Sequence, residues 1–183
     1  RLAFEIARAE GRKKVTCATK ANILKFSQGL FLDVGRMIAR EYEGRVQFEE
    51  RIIDAMAMHL VMRPEQFDVV VTTNLFGDIL SDEISGLVGG LGLAPGANFG
   101  TTAAIFEAVH GTAPDIAGKN IANPGALVLA ACMMLDHVGD RGRATRIRNA
   151  FEGTIRDGAV LTRDLGGTST TDQFTDAVIA RLG

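Results

Sequence analysis

FDVVVTTNLFGDILSDEISGLV, residues 67–88, changes its hydrophobic period halfway along. The first part, 69–73, is a β-branched run with the composition of a strand, and the part from residue 76 repeats its apolar positions at about 100° per residue, the period of a helix. A strand passing directly into a helix is the repeating unit of layered α/β architecture, because the helix returns over the sheet and covers it. On that helix Asp78 and Asp82 are four positions apart, so their carboxylates project from one face as neighbours. Ile79, Leu80, Ile84, Leu87, Val88 and Leu91 fall on the opposite side and are expected to face the core.

The same reading extends outward in both directions. Strands are expected over 15–19 and, more weakly, 104–109; helices over 22–43, 53–62 (stopped by Pro64), 76–88, 124–137 and 143–159. Strands alternating with helices make the chain α/β. Six glycines between Gly86 and Gly100 interrupt both periods, so this segment is expected to be a flexible connection. A domain boundary is placed near its start, dividing the chain into 1–88 and 89–183. The first residue is arginine and Leu2, Phe4, Ile6 and Ala7 read as a helix already under way, so the chain is expected to be the carboxyl-terminal part of a longer protein.

Composition narrows the function. With 183 residues and 46% hydrophobic content the chain can bury a core. A net charge of -2 with no Lys/Arg cluster in the sequence argues against nucleic acid as a partner and favours a small molecule. No apolar run approaches the roughly 20 residues that span a bilayer, and the amino end lacks a signal-peptide core, so neither membrane nor export is expected. Cys17 and Cys132 form no metal or disulfide spacing and are expected to be buried thiols in a reducing compartment.

Several positions carry chemistry in two readings. Asp78 and Asp82 repel each other on one helix face by about 0.2–0.5 kcal/mol unless a cation lies between them, and hard divalent ions prefer such oxygens. A solvated helix face is the commoner origin of that spacing. Asp54 interrupts the apolar RIIDAMAMHL and is either at a wet edge or paired. Lys20 directly follows the strand VTCAT, where α/β proteins place ligand-binding groups, although a surface lysine has the same appearance. HGTAPDIAGKNIANPG, residues 110–125, is dense in turn formers and reads as a binding loop: Asp115 can accept from ribose hydroxyls and Gly111 lets a phosphate approach the backbone, or Asp115 caps a turn. GGLGLAPG lacks the strand–turn–helix context and downstream acid of a dinucleotide fingerprint, so a Rossmann fold is rejected.

TKANILKFSQGLF (19–31), MRPEQFDVVVTTNLFGDILSDEISGLVGGLGLAPGANFG (62–100), EAVHGTAPDIAGKNIANPGA (107–126) and DLGGTSTTDQFTDAVI (164–179) together resemble consecutive signature blocks of the isocitrate/isopropylmalate dehydrogenase family. The resemblance implies a two-domain α/β fold with a central mixed sheet, 1–88 being part of a smaller dimerisation and metal/substrate domain and 89–183 the end of a larger one. It implies Mg2+ or Mn2+ on Asp78 and Asp82, with Asp54 as a further metal ligand and catalytic residue reaching in from the partner of a homodimer or higher homo-oligomer. Lys20, also from the partner, would assist proton transfer, and Asn22 would line the nicotinamide side. His110, Gly111, Thr112, Ala113, Asp115, Ile116 and Asn123 would hold the adenosine half of NAD, Asp115 repelling a 2'-phosphate. The chemistry implied is oxidation of a hydroxy acid followed by loss of its β-carboxylate. QGLF and LGGTSTTDQF are similar to NAD-type isocitrate enzymes of the tricarboxylic acid cycle. The other readings are isopropylmalate, homoisocitrate or tartrate as substrate, or a noncatalytic regulatory subunit. The chain alone is expected to be inactive, and the protein to be cytoplasmic, or in the mitochondrial matrix of a eukaryote.

Overall fold

The computed structural model describes all 183 residues, Arg1–Gly183. They divide into two compact units, Arg1–Ile84 and Ser85–Gly183.

In the first unit, α1 (Leu2–Ala9), β1 (Lys14–Thr19), α2 (Ser27–Glu41), β2 (Gln47–Ile52), α3 (Ile53–Met62) and β3 (Val69–Val71) lead into α4 (Asn74–Val88). The three strands are parallel in the order β2-β1-β3, with Lys14 opposite Gln47 and Val15 opposite Val69. β1 is central and buried from Val15 to Thr19, as a strand covered on both faces must be. Its side chains alternate: Val15 joins Phe4, Ala7, Ile38, Tyr42 and Val46 beneath α1 and α2, while Ala18 joins Met56, Leu60 and Leu80 beneath α3 and α4. The Cys17 thiol lies on the α2 side of β1, beside Gly35, with its pKa pushed up to about 11, chiefly by burial, and both cysteines are buried and unbridged.

Three expectations are corrected in this unit. The helix over 22–43 begins only at Ser27, because the amides of Ile23 and Leu24 both donate to the Lys20 carbonyl and close a turn that carries Asn22. QFEERI, polar and unassigned as a sequence, is β2: pairing with β1 makes it a strand, and Glu49 and Glu50 are neutralised by Lys14, Arg51 and Arg36. On α4 only Leu80 among the expected core residues is buried; Ile79 is 59% and Val88 66% exposed. The period picks out an apolar face, of which this chain covers only the part at Leu80.

The second unit pairs β4 (Pro95–Phe99) with β5 (Ala104–Ala108) as an antiparallel hairpin, followed by α5 (Gly125–His137), α6 (Arg141–Asp157) and α7 (Thr171–Ala180). Within the connection expected over 86–100, residues 95–99 are therefore the ordered strand β4; Gly96 fits a ladder position opposite Glu107. The core gathers Ala150, Phe151, Phe174 and Val178, with the Phe151 and Phe174 rings edge to face at 5.7 Å. Asp140 caps α6, left-handed Gly158 ends it, and Thr170 with Gln173 forms a capping box on α7. α7 was not assigned from its period. No helix of the chain is long and apolar enough to cross a membrane.

Candidate functional site

Parallel strands bring their carboxyl ends to one edge of a sheet, and the loops there converge. In the first unit Thr19 of β1 lies opposite Ile52 of β2, so Lys20 and the first turn of α3 emerge side by side. The Lys20 ammonium donates a hydrogen bond to Asp54 Oδ1. That bond, before any other cause, holds the Asp54 carboxyl below the usual aspartate range. Gln28, which sequence reasoning missed, braces the same edge: its side-chain oxygen accepts from the Lys20 amide at 3.3 Å and its nitrogen donates to Thr73 Oγ1 at 3.4 Å. Thr72 Oγ1 ties β3 to β1 by donating to the Ala18 carbonyl at 2.7 Å.

α4 starts at Asn74, directly after this edge, and carries Asp78 and Asp82 one turn apart. Both are exposed and neither forms an ion pair in the chain. No three His, Cys, Asp or Glu side chains of the chain are grouped to hold a metal ion, and Asp54 faces Lys20. Asp78 and Asp82 thus offer two hard oxygen ligands without a counter-charge, a donor set that suits a divalent cation but leaves its remaining positions to other ligands. Asn22 is exposed on the turn that follows Lys20.

In the second unit the loop after β5 carries the other candidates. A cavity of about 500 Å³ is bounded by His110, Gly111, Ala113 and Ile116 on one side and by Gly92, Asn123 and Asp164 on another. Thr112 lines an adjoining hollow, and Asp115 is exposed on the 3-10 turn Pro114–Ile116. The loop is fixed at unusual points: Ala113 and Asn120 hold left-handed backbone, with φ of 46° and 53°. Gly111 has ordinary φ and nothing within 4 Å of where a Cβ would stand, so packing within the chain does not require glycine there.

Asn123 is buried, and its side chain is a structural brace as well as a cavity wall. Its oxygen accepts from the Gly125 amide and its nitrogen donates to Asp164 Oδ2, both at 2.8 Å. A Cβ on Gly92 would stand 2.7 Å from Asp164 and 2.9 Å from Asn123, which makes glycine obligatory beside this pair. The far end of the loop is tied to α7: Asn120 donates to Asp172 at 2.8 Å and accepts from its amide, while Thr171 Oγ1 donates to the Ala122 carbonyl. Asp164, Asp172 and Thr171 have no local signature beyond ordinary polar residues, and sequence reasoning gave them no role.

A family model described as isocitrate/isopropylmalate dehydrogenase matches residues 1–178. The chain is 55% identical over 182 residues to a 3-isopropylmalate dehydrogenase of Archaeoglobus fulgidus, covering 100% of the chain and 55% of that relative. It is 53% identical over 182 residues to an isocitrate/homoisocitrate dehydrogenase of Thermus thermophilus, covering 100% and 54%. The crystal structure of isocitrate dehydrogenase from Methylococcus capsulatus matches with a TM-score of 0.96 at 55% identity, over 100% of this chain and 54% of that one. The chain therefore spans about half the length of these relatives, and its α/β fold is theirs rather than a Rossmann fold.

Proposed function

The chain belongs to the isocitrate/isopropylmalate dehydrogenase family, a family of decarboxylating dehydrogenases, and from that premise we propose that the protein carrying it oxidatively decarboxylates isocitrate to 2-oxoglutarate with NAD and Mg2+ or Mn2+. The observation that carries the proposal is that α4 presents Asp78 and Asp82 one turn apart, exposed and without a counter-charge, while the Lys20–Asp54 pair stands at the sheet edge where a partner's site could receive it.

Asp78 and Asp82 would hold the divalent ion, and Asp54 from a partner subunit would join them. A divalent ion held there would supply Lewis-acid chemistry, making the substrate's hydroxyl more acidic. Lys20, hydrogen-bonded to Asp54, would assist proton transfer to the reacting carbon, and Gln28 accepts from the Lys20 amide and so holds its backbone. Asn22 would face the nicotinamide. His110, Gly111, Thr112, Ala113, Ile116 and Asn123 would receive the adenosine half of NAD; the open space at Gly111 favours close approach of a phosphate. Asp115, exposed on its turn, would accept from ribose hydroxyls and repel a 2'-phosphate.

QGLF and LGGTSTTDQF favour isocitrate over isopropylmalate or homoisocitrate. Residues 1–88 would belong to the smaller, dimerising domain and 89–183 to the larger one, and the protein would act as a homodimer or larger homo-oligomer. Two buried, unbridged cysteines suit a reducing compartment, the cytoplasm or a mitochondrial matrix.

Initial rates of the intact polypeptide with isocitrate, isopropylmalate and homoisocitrate, each with NAD and Mn2+, test this reading. Isocitrate is expected to give the highest kcat/KM, by on the order of tenfold or more, the scale on which one altered substrate group is discriminated. A higher value for either rival overturns the substrate assignment. Absence of turnover with all three, and with tartrate, indicates a noncatalytic chain. Asp115→Lys with Ile116→Tyr is expected to move preference from NAD toward NADP, and an unchanged ratio of the two kcat/KM values refutes the role given to Asp115.

A further inference from the structure

We propose a second ligand site at the opposite end of the first unit's sheet, taking a small molecule that bears a chain of two or three phosphates. It is a groove of about 930 Å³ where β1 and β2 begin, formed by the ends of α1 and α2 and the chain entering each strand. Six strand residues rising about 3.3 Å each separate it from Lys20 by ~20 Å. Nothing in the proposed reaction uses it.

Its walls carry Arg8, Arg12, Lys13, Arg36, Arg40 and Arg45 against one carboxylate, Glu43. The sequence as a whole has a net charge of -2, so this excess is local and arises only when the fold brings distant segments together. Three of the six cations are already engaged. Arg12 meets Glu10 and Asp68; Arg36 grips Glu50 and Asp33; Arg45 donates to the Glu41 carbonyl and stacks over Tyr42. Arg8, Lys13 and Arg40 form no ion pair in the chain and are exposed.

Cations near helix ends commonly serve the terminal carbonyls. Those carbonyls have other donors: Ile6, Ala7 and Arg8 accept from the Glu10, Arg12 and Gly11 amides, and Ala39 and Arg40 from those of Tyr42 and Glu43. The three side chains are therefore surplus to the fold. Two arginine forks and one lysine suit adjacent phosphates, the forks bidentate and the lysine as a point charge. Apolar walls from Ala39, Val46 and Phe48 and the groove's size, within the roughly 300–1,000 Å³ range of small-molecule sites, leave room for more than a bare inorganic ion. The phosphates can come from free polyphosphate or from a nucleotide tail.

Calorimetric titration of the intact polypeptide, free of divalent ions and of NAD, tests the site with tripolyphosphate, ATP and AMP as probes, the groove variants telling binding there from binding at the cofactor loop. Saturable binding of tripolyphosphate and ATP is expected, with AMP weaker by on the order of tenfold and all affinities falling as salt rises. Equal affinity for tripolyphosphate and ATP assigns the site to free polyphosphate; tighter ATP assigns it to a nucleotide whose base uses the apolar walls. Arg8→Gln/Lys13→Gln/Arg40→Gln is expected to weaken binding by on the order of tenfold or more, from loss of charge-assisted contacts, while Arg141→Gln/Arg156→Gln leaves it unchanged. The exposed single change Arg40→Gln, at unaltered Tm, is to lower affinity in the same direction. Undetectable binding of both polyphosphate probes to the wild type, or unchanged affinity in the triple or single variant, overturns the proposal.

Discussion

Asp54 and Lys20 sit alone among the candidate residues in a direct ion pair, and the consequence is a pH signature. The pair holds Asp54 ionised below the usual aspartate range. A group whose folded pKa is depressed stabilises the fold above its unfolded pKa and loses that contribution as pH falls through the folded one. The window therefore lies below about pH 4, where an unperturbed aspartate titrates. Carboxyl chemical shifts followed against pH in the intact protein should show Asp54 titrating low in wild type and returning toward the usual range in Lys20→Met; an identical midpoint in both would remove the pair as the cause. Asp78 and Asp82 allow a test whose sign reverses. Without metal, Asp82→Asn should stabilise the protein by about 0.2–0.5 kcal/mol by relieving like-charge repulsion on one helix face. With Mn2+ and isocitrate it should instead lower Tm relative to wild type, because a bound ligand stabilises only the state that holds it. Lys20 and the aspartates were visible in the sequence because Lys20 follows a strand, Asp54 interrupts an apolar stretch, and Asp78 and Asp82 are spaced to share one helix face. Gln28 was not, since its work depends on the turn at 20–26, a stretch whose apolar spacing reads as helix.

The loop after β5 shows how elements cooperate to fix a binding surface. Its middle is held by Asn123 against Asp164 and the first amide of α5, and its end by the start of α7. Asn123→Ala leaves a buried amide and a carboxylate without their partner, and should cost about 1–3 kcal/mol in chemical denaturation. If the loop receives NAD, the same change raises KM for NAD more than it lowers kcat. Thr170→Ala removes one half of the α7 capping box and should cost about 1 kcal/mol. The loop itself was legible from its turn formers. Its braces were not, because Asp164, Thr171 and Asp172 act across 41 to 52 positions of sequence. β2 and β4 escaped for a related reason: QFEERI and PGANF lack strand composition, and each becomes a strand only through its partner.

Across the whole molecule the apolar surface left open is larger than single exposed residues explain. Phe26, Leu30, Val34 and Met37 run along one face of α2 at helical spacing and are exposed, as are Met58, Val61 and Met62 on α3. Contiguous apolar faces of this kind mark association surfaces, and they support the proposed homo-oligomer, in which Lys20 and Asp54 of one chain complete the partner's site. The intact protein should sediment as a dimer or larger, and Leu30→Glu/Val34→Glu should shift it to monomer and abolish turnover together; a fully active monomer would contradict shared sites. The apolar period of α2 and α4 was readable from sequence, but a period states which face is apolar and not what covers it. One of those helices, α4, carries the proposed metal ligands: Asp78 and Asp82 would hold a divalent ion that binds the hydroxy acid. Paramagnetic resonance titration of Mn2+ into the intact protein with isocitrate measures it directly. Wild type should bind stoichiometrically per subunit and Asp78→Asn/Asp82→Asn should lose affinity by on the order of a hundredfold, about two charge-assisted contacts; Mn2+ binding undiminished in that variant would contradict the account.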